Sequence, residues 1–165
     1  MKAPFLAAAL LAGFSTFASA TGIVANSGWQ TDTLSKANSL TDNSAWTFTV
    51  SSSAYFRITD CCAVGDHYDL YDGAMTWLAG TALGAGAPTA TGSGFFETEW
   101  QSGNFQILSY LVGPGSYTFN IKGDGVGGIP ADLGVMLEAV PEPETYALML
   151  AGLAAMGLAV RRRQT

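Results

Sequence analysis

Asp60, Asp66, Asp69 and Asp72 form the only acidic cluster in the chain. Calcium takes about six to eight oxygen ligands converging on one point, and carboxylates at a sheet edge can supply several of them. The spacing is not that of a D-x-D-x-D-G loop. On a strand, Asp66 and Asp72 share one side and Asp69 faces the other. Asp60, Asp66 and Asp72 are the calcium candidates, set against the plainer reading of carboxylates that cap turns and solubilise a surface. His67 is the only histidine and falls within a predicted strand. A Ser-His-Asp hydrolase needs its nucleophile on a sharp, organised turn, and no G-x-S-x-G is present. Glu97 and Glu99 share a face if their segment is a strand. Side chains at that spacing lie about 7 Å apart with no cleft implied, which is poor support for a glycosidase pair. With no convincing catalytic constellation, the expectation is a non-enzymatic protein.

Cys61 and Cys62 are the only cysteines and are adjacent. A bond between sequence neighbours closes almost no loop and departs from relaxed disulfide geometry. Free or buried thiols, a vicinal disulfide and pairing with another chain all stay open. Neither a metal-type spacing nor C-x-x-C occurs. Among 9 Phe, 6 Tyr and 4 Trp, Trp29, Trp77 and Trp100 stand where exposure would make them stacking platforms for sugars. The alternative is that the aromatics fill a core.

These groups must be positioned by short strands. WTFTV sets Trp46, Phe48 and Val50 on one face, and AYFRIT does the same with Ala54, Phe56 and Ile58, with Ser51, Ser52 and Ser53 as a turn between them. Asp72-Gly73 is a turn dipeptide, glycine taking positive φ without steric cost, and joins residues 67–71 to 74–78 as a hairpin. Residues 79–94 read as a small-residue loop, and 95–100 as either a strand or a turn of helix. Residues 104–112 suggest a strand buried on both sides. After Gly113-Pro114-Gly115, Tyr117, Phe119 and Ile121 point inward from one strand, and Leu133, Val135, Leu137 and Ala139 from a last one. The polar segment 21–42 holds at most one strand. Seven or eight short strands with Gly- and Ser-rich turns predict an all-β fold, an antiparallel β-sandwich of jelly-roll type.

The ends read as processing segments. MKAPFLAAALLAGFSTFASA has a positive Lys2, an apolar run over 5–14 too short to span comfortably, and Ala18-Ser19-Ala20 at a signal-peptidase site. Residues 1–20 are therefore expected to be a signal peptide cleaved after Ala20, and 21–140 a single exported domain. In that body three basic residues against eleven acidic ones give −8, which repels phosphate backbones and argues against nucleic acid as a partner. Residues 141–165 form the tail. Pro141-Glu142-Pro143 can continue neither a helix nor a central strand. Residues 145–160 carry no charge and make about 24 Å of helix, a transmembrane segment only with snorkelling arginines or a thinned bilayer. Arg161, Arg162 and Arg163 hold the C-terminus in the cytoplasm and the body outside.

A Val-Pro-Glu-Pro run, a short apolar span and a terminal arginine cluster resemble the PEP-CTERM sorting signal of exosortase substrates. The resemblance covers about the last 26 residues. It implies an exported protein of bacteria that build exopolysaccharide or biofilm matrix. Such a protein is anchored transiently with its body on the periplasmic side, then placed at the cell surface or outside the cell, with the exosortase and the membrane as partners of the tail. A looser likeness to bodies carried by such tails runs through Thr59-Asp60, Gly65-Asp66 and Asp72-Gly73. The expected role is structural. The alternative is a carbohydrate-binding module for exopolysaccharide, with calcium as a possible cofactor.

Overall fold

The computed structural model describes residues 20–83, 92, 94–141, 148–153 and 156. Eleven strands and one short helix follow in the order β1 (Thr21–Gly22), β2 (Gln30–Leu34), β3 (Ser39–Leu40), β4 (Trp46–Val50), β5 (Ala54–Asp60), β6 (Tyr68–Asp72), β7 (Trp77–Gly80), β8 (Ala82–Leu83), α1 (Phe96–Ser102), β9 (Gln106–Val112), β10 (Gly115–Gly123) and β11 (Ala131–Ala139). They form two sheets. Sheet A runs β1-β4-β10-β6-β7, with β3 also on β10, and sheet B runs β2-β11-β5-β9-β8. The connections β4 to β5, β5 to β6, β9 to β10 and β10 to β11 all pass between sheets, whereas β6–β7 is a hairpin within one.

The period-2 strands fold as their patterns dictate. Trp46, Phe48 and Val50 on β4 face Ala54, Phe56 and Ile58 on β5 across a core that also takes Phe119, Ile121, Leu133, Val135 and Leu137. Phe48 and Phe56, from opposite sheets, stack with centroids 5.5 Å apart, and Phe119 meets Phe56 edge-on at 5.1 Å. Burying each such ring stabilises the fold by roughly 1.5–3 kcal/mol, the same range as each buried Leu, Ile or Val of this core.

Three expectations are corrected and one open alternative is settled. The polar N-terminal segment contributes three strands, and β1 pairs with β4 in parallel, so the sandwich is not wholly antiparallel. Residues 95–100 resolve as helix: Glu97 and Glu99 sit in the first turn of α1, where the helix dipole favours negative charge, and Gly103 ends it at φ 66°. β9 is not buried on both sides. Its outer neighbour β8 is only two residues long, so β9 is nearly an edge, with Leu111 exposed and Val112 its one buried residue. In the β6–β7 turn the positive φ falls on Met75 (63°), not on Gly73. At Gly73 space is short instead, since a Cβ there would lie 3.2 Å from Thr118 Cβ, a tight contact.

β11 ends at Ala139, and the Val140 amide donates to the Ser53 carbonyl at 2.8 Å. Residues 148–153 and 156 are helical and exposed. Among the described residues no helix is long and apolar enough to cross a membrane. The rest of the expected span 145–160 lies outside the described residues, as do Ala18, Glu142, Pro143 and Arg161, Arg162 and Arg163.

Candidate functional site

The acidic cluster splits when the chain folds. Asp60 closes β5 and Asp66 lies in the loop leading to β6, and both are buried. Asp72, at the far end of β6, is about 13 Å along the strand from Tyr68 at ~3.3 Å per residue. Its Oδ1 accepts the amides of Ala74 and Thr76 at 2.9 and 2.7 Å, so it caps the hairpin turn. The acid that joins Asp66 is instead Asp124, whose charge acts on it and whose Oδ1 accepts the His67 and Val126 amides at 3.0 and 3.1 Å. Nothing in the local sequence marked Asp124, because the pairing of β6 with β10 brings it there.

Asp60 Oδ1 accepts the Cys61 amide at 2.9 Å, whereas its Oδ2 is buried with no hydrogen-bond partner. Burial pushes this carboxyl up to about 7. The Cys61 amide opposes that, the charge of Asp66 adds to it, and the amides of Gly65 and Asp66 oppose it more weakly. Asp66 is also raised, by burial first, with the Gly127 amide opposing and Asp124 adding. The Tyr68 hydroxyl is buried without a partner and raised by burial and by the charges of Asp60, Asp66, Asp124 and Asp132.

Beside these groups Cys61 and Cys62 are joined in a vicinal disulfide, one of the three states their adjacency allowed. Cys61 is buried, while Cys62 is exposed at φ 70°. The two line a cleft of about 210 Å³ with Asp66, Gly127, Ile129 and Asp132. Among the described residues no three acidic, histidine or cysteine side chains group closely enough to hold a metal ion by themselves.

The outer face of sheet A carries the second candidate set. His67 precedes β6 rather than lying within it, and its Nδ1 is 3.1 Å from Thr81 Oγ1. Its Nε2 lies 3.5 Å from Asp69 Oδ1, which accepts the Trp77 indole N–H at 2.9 Å. Trp77 is 58% exposed. Further across the face, Thr47 and Thr49 of β4 and Ser116 and Thr118 of β10 line an open depression of about 340 Å³. Trp29 and Trp100 are half-buried. Trp29 meets Phe96 and Trp100 of α1 at 6.3 and 5.5 Å and donates to Glu97 at 2.8 Å, and Arg57 lies 4.8 Å over the Trp100 ring. Glu97 is held below the usual carboxylate range, first by the Trp29 indole and then by Gln101. Glu99 is buried and accepts the Gly94 amide at 3.2 Å. On a helix, residues two apart point to different sides, so the two glutamates do not face one another.

The end of β11 marks where the tail begins, and the family model of the PEP-CTERM protein-sorting motif matches residues 139–163. The chain carries a PEP-CTERM sorting signal. That motif implies an exported protein processed by an exosortase and sorted to the cell envelope. No curated protein matches the chain. Among solved structures, the pre-peptidase C-terminal domain of collagenase from Bacillus anthracis is similar to it at 14% identity, with 73% of this chain and 95% of that chain covered and a TM-score of 0.44.

Proposed function

We propose that this is a non-catalytic protein of the cell surface or extracellular matrix, held briefly at the membrane by its PEP-CTERM tail and then released with its β-sandwich whole. One observation carries the reading. Among the described residues every strand lies between Thr21 and Ala139, so removal of a leader after Ala20 and of a tail near Pro143 takes no described strand from either sheet. The Val140–Ser53 hydrogen bond closes the last strand just ahead of Pro141, which is itself exposed. The test is fractionation of the native host expressing a chain stopped after Val140. The truncated body is expected to fold and to collect as a soluble periplasmic species instead of reaching the envelope surface. Surface delivery without the tail would refute the reading.

A second reading is favoured by Trp77. An indole that is mostly exposed yet fixed by a hydrogen bond to Asp69 is a preordered stacking surface, and the Thr and Ser hydroxyls on β10 and β4, two and three strands across the sheet, suit a polyhydroxylated ligand. On this reading the body binds matrix polysaccharide along the outer face of sheet A. Retention on immobilised exopolysaccharide, lost in Trp77→Ala, distinguishes a binding role from a passive one.

A further inference from the structure

Cys61 and Cys62 sit differently on either side of one bond. Cys61 is 3% exposed, whereas Cys62 stands at the surface at φ 70°, and both line the cleft of about 210 Å³. A bridge between sequence neighbours closes almost no loop, so it adds little to global stability through the unfolded chain. What it holds is local. The Ala63 amide donates to the Cys61 carbonyl at 2.7 Å, which folds residues 61–63 into a three-residue turn with Cys62 at its apex. Positive φ at the apex makes this the rare, strained form of such a turn, and a residue with a Cβ is disfavoured there by a factor of about 5–30. In that turn the Cys62 carbonyl accepts the Gly92 amide at 2.8 Å. Gly92 is itself hemmed in: a Cβ there would lie 2.5 Å from Glu99 Oε1 and 2.8 Å from Phe105 Cζ. The Gly94 amide donates to the same Glu99 oxygen at 3.2 Å. One hydrogen bond therefore ties the apex of the disulfide turn to the lead-in of α1.

We propose that the Cys61–Cys62 bridge is a site of thiol–disulfide exchange for a dithiol reductant, and that its redox state decides whether Gly92, and with it the lead-in of α1, stays tied to the β5–β6 loop. Exposure directs the attack to Cys62. A thiolate of the dithiol attacks Cys62 Sγ, the S–S bond breaks, and its electron pair leaves with Cys61 Sγ, which takes a proton from water. The second thiolate of the reductant then attacks the reductant's own sulfur in the mixed disulfide. Cys62 Sγ leaves with that electron pair and is protonated in turn. Two electrons and two protons have passed from the dithiol to the cysteine pair, and the reductant ends as its disulfide. The ring closed by a bridge between neighbours contains the peptide bond between them, so it restrains the Cys62 backbone directly. Reduction frees Cys62 to return to negative φ, and its carbonyl turns away from the Gly92 amide. The switch rests on neither the sorting reading nor the glycan reading, and its failure would leave both standing.

The test uses the full chain in mild detergent at neutral pH, without denaturant. Dithiothreitol is the probe, and alkylation with mass analysis reads the state of the cysteines. Amide exchange followed by NMR reads Gly92, with the Ala74 and Thr76 amides of the β6–β7 turn as references. Untreated protein should resist alkylation, and dithiothreitol should open both cysteines while the fold stays intact. Exchange at Gly92 is then expected to quicken about 5- to 30-fold, with Ala74 and Thr76 unchanged. Cys62→Gly separates the bridge from the backbone it holds, because glycine takes positive φ without a Cβ. In it Gly92 should stay close to the oxidised rate with or without dithiothreitol, whereas Cys62→Ser should exchange at the rate of the reduced wild type. The proposal is overturned if the untreated cysteines alkylate, if they yield to dithiothreitol only in urea, or if reduction leaves Gly92 exchange where it was. It is equally overturned if Ala74 and Thr76 quicken together with Gly92, which would make the bridge a general staple, or if the two Cys62 variants behave alike. Should neither variant fold, the wild type decides: faster exchange at Gly92 alone after reduction supports the switch, and its absence refutes it.

Discussion

Asp32 and Asp60 are both buried carboxylates in sheet B, yet they are built differently. Asp32 Oδ2 accepts the Trp46 indole at 3.0 Å, and its Oδ1 accepts the amides of Thr33 and Asn43 at 2.8 and 2.9 Å. Both oxygens are satisfied, and the group ties β2 to β4 across the sandwich. Asp60 has one oxygen satisfied and one orphaned beside another acid. The same residue type at the same depth is a structural tie in one place and a half-paired acid in the other, and the difference lies in the unmet oxygen rather than in burial. The tryptophans repeat the contrast at the surface, since Trp29 and Trp100 of α1 pack on each other, with Arg57 over Trp100, while Trp77 stays open.

The sharpest way to break this comparison is Asp32→Ala. It strands the Trp46 indole and two amides at once and is expected to cost about 3–5 kcal/mol in urea unfolding. A cost near zero would mean that Asp32 is no tie at all. Asp60 should behave in the opposite sense. Its carboxyl is raised from 3.8 to about 7 in the folded state, so between those values the native protein binds more protons than the unfolded chain. Stability should therefore be highest below about pH 4 as far as this group is concerned, and fall as pH rises toward 7, by on the order of 2–3 kcal/mol. Asp66 adds to the slope with the same sign. In Asp60→Asn the decline should flatten. An unchanged profile in that variant would show that the orphaned oxygen is not the origin.

Smaller effects separate the tryptophans. Trp100→Ala removes the contact with Trp29 and the Arg57 cation–π pair and should cost about 1–2 kcal/mol. Trp77→Ala should change stability by less than about 0.5 kcal/mol while lowering retention on polysaccharide roughly 2- to 10-fold. Equal stability losses for the two would erase the distinction between packed and open tryptophans.

Much of the sandwich was legible because its central strands alternate. Trp46, Phe48 and Val50, or Leu133, Val135 and Leu137, announce an inward face from local spacing alone. The one strand allowed to residues 21–42 could not be placed at β2 because one of its two inward positions holds Asp32, and a carboxylate gives no apolar mark; only the indole 14 residues away makes that position habitable. α1 left a trace in Glu97, Glu99 and the following Gly103, balanced by aromatic residues that equally suit a strand, so the segment read as either. The acidic site was half legible. Asp60 and Asp66 are near in sequence and stay near in space, whereas Asp124 arrives through the long-range pairing of β10 with β6. Asp72 looked equivalent in the sequence and was removed by a turn whose positive φ sits on Met75. The tail was the most legible part, since its signal is linear: a proline-bounded break, an apolar run and a cluster of arginines in fixed order.

Intact-mass analysis of the protein recovered from its native host, with and without the sorting enzyme, tests the central claim most directly. The account predicts a mature chain that begins at Thr21 and ends near Pro143 when the enzyme is present, and a chain that still carries Arg161, Arg162 and Arg163 when it is absent. A mature mass that retains the arginines in the enzyme's presence would contradict it and make the tail a permanent anchor.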